Sequence, residues 1–179
     1  MVVGMTARGD GSRTGTGSVT FRRAAQDDLP RIVALLADDP IGRSRENPGP
    51  PLDTRYRDAF AAIEHDPNHL LTVAERGGHL IGVLQLSFIP GLSLKGMWRG
   101  QIEGVRVAAG ERARGVGRAM LEWAIEECRR RGCGLVQITS DKRRIDAHRF
   151  YERLGFEATH QGYKLALCSR SGAGLGIAI

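Results

Sequence analysis

The chain has 179 residues and a mass of 19.5 kDa, which predicts one domain with room for a substantial core. Apolar residues make up 41% and charged residues 26%, a globular composition, and no apolar run approaches the roughly 18 residues of a membrane helix. The formal net charge is +6, with only three lysines (Lys95, Lys142, Lys164) among 26 basic residues; such a surface attracts polyanions, whether nucleic acid, anionic membrane or a phosphorylated small molecule.

The opening residues Met1 to Met5 lack a basic stretch followed by an apolar one, so secretion is not expected. Residues 1–18 are rich in Gly, Thr, Ser and Arg and read as a disordered arm, with Met5 an alternative start. The expected domain runs over 19–168, and 169–179 reads as a tail. Val19 to Arg22 alternates like a half-buried strand. Asp27 or Asp28 is placed to cap a helix carrying Leu29, Ile32, Val33, Leu35 and Leu36. Residues 38–52 hold four prolines and two glycines and read as a loop. Asp53 or Thr54 caps a second helix with Tyr56, Phe60 and Ile63 inward. Leu70–Glu75 and Leu80–Phe88 read as strands joined by Gly77-Gly78, a hairpin signal. Pro90-Gly91 turns the chain into a strand over Met97–Val107, interrupted by Gly104. Gly115–Arg131 is the longest amphipathic helix, with Val116, Ala119, Met120, Trp123 and Ala124 on one side. A short buried strand over Leu135–Thr139, a helix over Ala147–Leu154 and a last strand over Tyr163–Leu167 complete a mixed α/β order.

The most informative stretch is Arg112-Ala113-Arg114-Gly115-Val116-Gly117-Arg118, between a strand and the long helix. Glycines there let backbone approach a ligand. The orphan N–H groups of a first helical turn, with the helix dipole, make an anion site. Three arginines add charge and bidentate donors. Such a loop suits a pyrophosphate, although the spacing matches neither a Walker A loop nor G-x-G-x-x-G; the competing reading is a basic helix start whose glycines only serve the turn.

These residues, Arg112, Gly115 and Gly117, match Arg/Gln-x-x-Gly-x-Gly/Ala, and the sequence resembles the GCN5-related N-acetyltransferases over about residues 19–167. Val105-Arg106-Val107 before the loop and Ala147 to Phe156, with Tyr151 and Gly155, extend the likeness. The resemblance implies a mostly antiparallel sheet with a splayed pair of parallel strands, flanked by about four helices. It implies acetyl-CoA as co-substrate, its pyrophosphate held by backbone N–H groups from Arg114, Gly115, Val116, Gly117 and Arg118. The main chain of Val105 and Val107 would hold the pantetheine arm, and the Val105 N–H would polarise the thioester carbonyl. Gly104 would mark the bulge that opens the cofactor slot. Tyr151 would protonate the leaving thiolate, a role suited to a phenol that is neutral at pH 7; without the resemblance, a tyrosine beside Phe150 reads as core. Many relatives carry Asn where this chain has Arg144, so Arg143 or Arg144 is an alternative phosphate contact.

An attacking amine must lose a proton. Glu103 lies two residues before Val105, and strand alternation puts both on one face unless a bulge at Gly104 breaks the rule. Glu103 is therefore the candidate base or amine anchor; the alternative is an exposed carboxylate paired with Arg99 or Arg106. Asp38, Asp39 and Glu46 are placed to attract a cationic amine, and Leu92–Trp98 either covers the acceptor or forms a homodimer contact. His148 orients neighbours or simply lies on the surface. The other histidines show no ligand spacing, so no metal is expected. Cys128, Cys133 and Cys168 include no C-x-x-C pair, and a reducing cytoplasm is expected. No helix-turn-helix, zinc-finger or RNP pattern supports nucleic acid, and no membrane partner is expected. The expected activity is direct acetyl transfer to a primary amine of a small molecule or peptide. The alternative is a non-catalytic acyl-CoA-binding or sensor protein on the same scaffold.

Overall fold

A computed structural model describes residues 17–39 and 43–167. Nearly all of the expected N-terminal arm, the expected C-terminal tail and Cys168 lie outside these residues. The chain divides into two compact units, one running up to Ile138 and one starting at Thr139. Among the described residues no helix is long and apolar enough to cross a membrane.

The first unit holds a five-stranded sheet in the order β1 (Thr20–Arg23), β2 (His69–Arg76), β3 (His79–Pro90), β4 (Trp98–Val107) and β5 (Leu135–Ile138). The pairs are antiparallel except β4 with β5, which are parallel. Gly77 and Gly78 close the β2–β3 hairpin with φ of 57° and 76°, the two positive values that a tight twisted hairpin turn requires. Strand β5 is not the buried strand expected: it ends the sheet and none of its residues is buried.

Helices α1 (Leu29–Ala37) and α2 (Thr54–His65) carry the core of one sheet face. Ala24, Leu29, Ile32, Leu35 and Phe60 cluster there with Val73 and Val83. Asp53 caps α2, its carboxylate accepting the Arg55 N–H at 3.0 Å. The expected Asp27 or Asp28 side-chain cap on α1 does not form. The Asp28 carboxylate instead accepts the Ala25 N–H at 2.7 Å and the Arg22 guanidinium at 2.6 Å, which holds its carboxyl below the ordinary range.

The opposite sheet face meets α4 (Val116–Arg130), which buries Val116, Met120, Leu121, Ala124 and Cys128. Small strand residues allow the close approach: a Cβ on Gly82 would lie 2.7 Å from Met120 Sδ, and one on Gly100 would collide with Cys128 Sγ. Gly132, at φ 75°, ends α4 with paired bonds from Gly132 N–H to Arg129 O and Cys133 N–H to Cys128 O, a left-handed C-terminal cap. The one-turn α3 (Ser93–Gly96) has left-handed dihedrals at Leu94 and Lys95, and Leu92 and Leu94 are exposed.

The second unit holds α5 (Ile145–Glu152), which ends in a turn closed by Gly155 at φ 88°. The strand expected over Tyr163–Leu167 is absent, and Tyr163, Leu165 and Leu167 are exposed. Alternation alone does not make a strand; a ladder partner must satisfy its backbone, and none registers with these residues.

Candidate active site

The irregularity expected at Gly104 is a bulge. Gln85 pairs with Glu103 and Val83 with Arg106, so Gly104 and Val105 together oppose Leu84. Gly104 has φ 62°, the left-handed conformation of a bulge glycine. The β4–β5 ladder reaches only Ile102 and Ile138. Beyond it, β4 continues to Val107 with no β5 residue in register. The bulge also breaks the simple alternation: Arg106, rather than Val105, shares the α1/α2 face with Glu103.

After β4, a short 3-10 turn (Ala109–Glu111) leads to the basic loop. Ala113 has φ 61° and Gly115, the N-cap of α4, has φ 79°. A left-handed alanine is an unusual conformation, of the kind found where local geometry serves a ligand. No side chain caps α4. Its Ala119 N–H bonds to Gly115 O at 3.0 Å, and the N–H groups of Val116, Gly117 and Arg118 precede any intrahelical acceptor. Their aligned dipoles favour an anion.

The three arginines are not equivalent. Arg112 holds the framework: Nε donates to Val107 O at 3.2 Å, and Nη2 donates to Asp38 O at 2.7 Å and Asp38 Oδ2 at 2.9 Å. It ties the end of β4 to the end of α1. Arg114 pairs with Glu111 at 3.3 Å and Arg118 with Glu122 at 2.8 Å; both pairs are exposed, where ion pairs are weak and readily exchanged.

Each carboxylate expected to draw an amine has a partner in the protein. Asp38 pairs with Arg112, Asp39 lies 3.7 Å from Arg106, and Glu46 accepts the Tyr56 hydroxyl at 2.8 Å. Glu103 differs. It is exposed on β4, and neither Arg99 nor Arg106 forms the ion pair that would neutralise it.

In the second unit, Tyr151 is half-buried on α5 with its ring 5.6 Å from Phe150 and 6.1 Å from Phe156. His148 is engaged through Nε2 with Asp141 O at 3.0 Å. Arg143 binds the Asp141 carboxylate through Nε and Nη2. Cys128 is fully buried in the first unit, and burial, with Cys133 beside it, pushes its thiol up to about 12. A thiol so disposed is a poor covalent acceptor for an acyl group. No group of three metal-ligating side chains occurs among the described residues.

Residues 29–156 match the family model described as the acetyltransferase (GNAT) family. The chain belongs to the GNAT family. The aminoalkylphosphonate N-acetyltransferase of Salmonella typhimurium (strain LT2) is 36% identical over 148 residues, 82% of this chain and 90% of that protein. A solved structure from Bacillus halodurans C-125, described as a transcriptional regulator, is 47% identical with a TM-score of 0.81, covering 83% of this chain and 99% of that one. An acetyltransferase of Trypanosoma brucei is 26% identical with a TM-score of 0.68, covering 84% and 100%.

Sequence reading placed this GNAT chain's bulge glycine and basic loop but missed the structural task of Arg112. Its partner Asp38 lies 74 positions away, and no local pattern signals such a pair. A readable signal passed over is the spacing Arg99, Gln101, Glu103, three polar residues on one face of β4.

Replacing Gly115 with Val should cost about 1–3 kcal/mol, because a β-branched residue resists φ near 79°. Its Cβ would meet no neighbour, so the cost is conformational. Urea denaturation should show a lower midpoint with an unchanged slope; an unchanged midpoint would mean the N-cap is not held left-handed.

Proposed function

We propose that the protein transfers the acetyl group of acetyl-CoA directly to the primary amine of a small molecule, with aminoalkylphosphonates as the acceptor class. The observation that carries this reading is the junction of a bulged β4, free of β5 beyond Ile102, with the uncapped N-terminus of α4. Family membership supports acetyl-CoA, and the Salmonella relative supports the acceptor class.

The donors present fit such a co-substrate. The N–H groups of Val116, Gly117 and Arg118 face no intrahelical acceptor and would hold the pyrophosphate, with Arg114 and the Gly115 backbone beside them. Arg112 acts on the protein, holding the loop in place. The main chain of Val105 and Val107, on the part of β4 without a β5 neighbour, would hold the pantetheine arm. The Val105 N–H would bind the thioester oxygen as negative charge develops there. Glu103 would take the proton that the acceptor's ammonium must lose before its nitrogen can attack. Tyr151 would give its phenolic proton to the departing sulfur and be reprotonated by the second proton that the nitrogen sheds as the amide forms, while Glu103 releases its own proton to water. The free Cys128 and Cys133 accord with a reducing cytoplasm.

A second reading rests on the Bacillus halodurans relative, which is described as a transcriptional regulator: the chain would bind acyl-CoA as a sensor without turnover. Acetyl-CoA consumption across a panel of amines separates the two.

Within that assay, Tyr151→Phe should retain acetyl-CoA binding and lower kcat by about 10²- to 10⁴-fold, as removal of a positioned general acid does. Unchanged kcat, with chemistry rate-limiting, would reduce Tyr151 to a member of the Phe150–Phe156 cluster. Glu103→Gln keeps size and one acceptor but takes no proton. As base, Glu103 gives the native pH–rate profile an acidic limb that the variant should shift or lose, with kcat lowered. If KM for the amine rises while the limb stays, Glu103 is an anchor; if neither moves, it is a bystander.

A further inference from the structure

The sheet face shared with α1 and α2 changes character along the strands. At one end Val73 and Val83 lie in register beneath the helical core. One row on, Leu71, Gln85 and Glu103 align. In the next row four polar residues register across four strands: His69, Ser87, Gln101 and Gln137. A last row brings Ile89, Arg99 and Leu135 together.

Two residues of the four-strand row are buried, Ser87 at 6% and Gln101 at 8% exposure. Their hydrogen bonds run along the row. His69 Nδ1 meets Ser87 Oγ at 2.9 Å, Gln137 Nε2 donates to Gln101 Oε1, and Gln101 Nε2 donates to Ile102 O. The amides of Gln101 and Gln137 keep further donor and acceptor capacity. Beside them, the Arg99 Nε is shielded from solvent with no hydrogen-bond partner, and no carboxylate of the described residues pairs with its guanidinium. A shielded N–H left unpartnered is costly, and a ligand that supplies an acceptor relieves that cost.

Arg99, Gln101 and Glu103 thus set a cation, a neutral amide and an anion at successive positions on one face of β4, and no ion pair joins the two ends. We propose that this row is the acceptor subsite: Arg99 and the Gln101 amide grip the phosphonate, and Glu103 receives the amine at the bulge. The proposal rests on the acetyl-transfer reading above and adds to it the residues that select the acceptor and its direction. The acceptor lies antiparallel in charge to the strand. Its dianion sits at the start of β4 and its nitrogen beside Gly104 and Val105, where the thioester carbonyl would be held. A planar, forked guanidinium suits a tetrahedral oxyanion.

The test compares kcat/KM for 2-aminoethylphosphonate, β-alanine and n-propylamine in the wild type and in Arg99→Gln. The wild type should prefer the phosphonate. The variant should lower the phosphonate-to-propylamine ratio by roughly 10- to 100-fold, the loss expected for charge-assisted hydrogen bonds to one anion. Arg99→Lys, which keeps the charge and loses the fork, should lower the ratio less, and it carries the test if Arg99→Gln does not fold. A ratio equal in wild type and variants overturns the assignment, as does a wild-type preference for β-alanine or propylamine. An enzyme that acetylates propylamine without favouring the phosphonate contradicts the subsite alone; one that consumes no acetyl-CoA with any amine contradicts the acetyl-transfer reading beneath it.

Discussion

The constraint on which the first unit depends is the extra residue in β4. A strand between two neighbours spends its backbone groups on both ladders. Here the parallel ladder to β5 ends at Ile102, and the antiparallel ladder to β3 absorbs two residues against Leu84. The stretch from Glu103 to Val107 is thereby paired with β3 on one side and with no β5 residue on the other, and Val105 O and Val107 O accept the side chains of Arg106 and Arg112. That opening offers main-chain groups to an extended ligand, and the next element, α4, begins with donors that have no partner of their own. Only a glycine takes the φ of 62° at the bulge without strain, so a single small residue fixes the geometry that everything downstream uses.

The charge distribution follows a similar economy. Several of the arginines are engaged inside the protein: Arg22 holds Asp28 and Glu75, Arg106 lies near Asp39, Arg112 holds Asp38, and Arg131 lies 4.2 Å over the Phe88 ring. The pairs of Arg22 with Glu75, Arg106 with Asp39 and Arg112 with Asp38 join elements far apart in sequence, and the last two position the segment after α1 against β4. Near the candidate site stand the exposed Arg114 and Arg118 at the α4 N-terminus, each in a weak ion pair, and Arg99 on the sheet, its Nε shielded from solvent. The net charge of +6 is thus a poor guide to function, whereas the placement of each cation is informative.

Much of this was legible in the sequence because it is carried by local chemistry. Gly77-Gly78 dictates a hairpin, Asp53 caps α2, and Gly104 and Gly115 mark the positions where only left-handed backbone fits. The parts that were not legible depend on partners distant in the chain. Asp28 fails as a cap because Arg22 and the Ala25 N–H claim its carboxylate. Tyr163 to Leu167 alternates as a strand would, but strand formation requires a ladder partner that alternation does not supply. Leu121, fully buried, escaped the helical stripe because α4 packs over a wider arc than one row of side chains. The polar row from His69 to Gln137 exists only once four strands are in register.

The central claim is that the bulged strand and the uncapped helix together form a binding site for acetyl-CoA. Thermal unfolding of the wild-type chain with and without the compound tests it most directly. A ligand that binds only the folded state at 100 times its dissociation constant adds about 2.7 kcal/mol. For a chain of this size that corresponds to a Tm raised by roughly 5–10 °C. CoA, which carries the same pyrophosphate and pantetheine arm, should raise it as well. A Tm that does not move with millimolar acetyl-CoA or CoA would contradict the account.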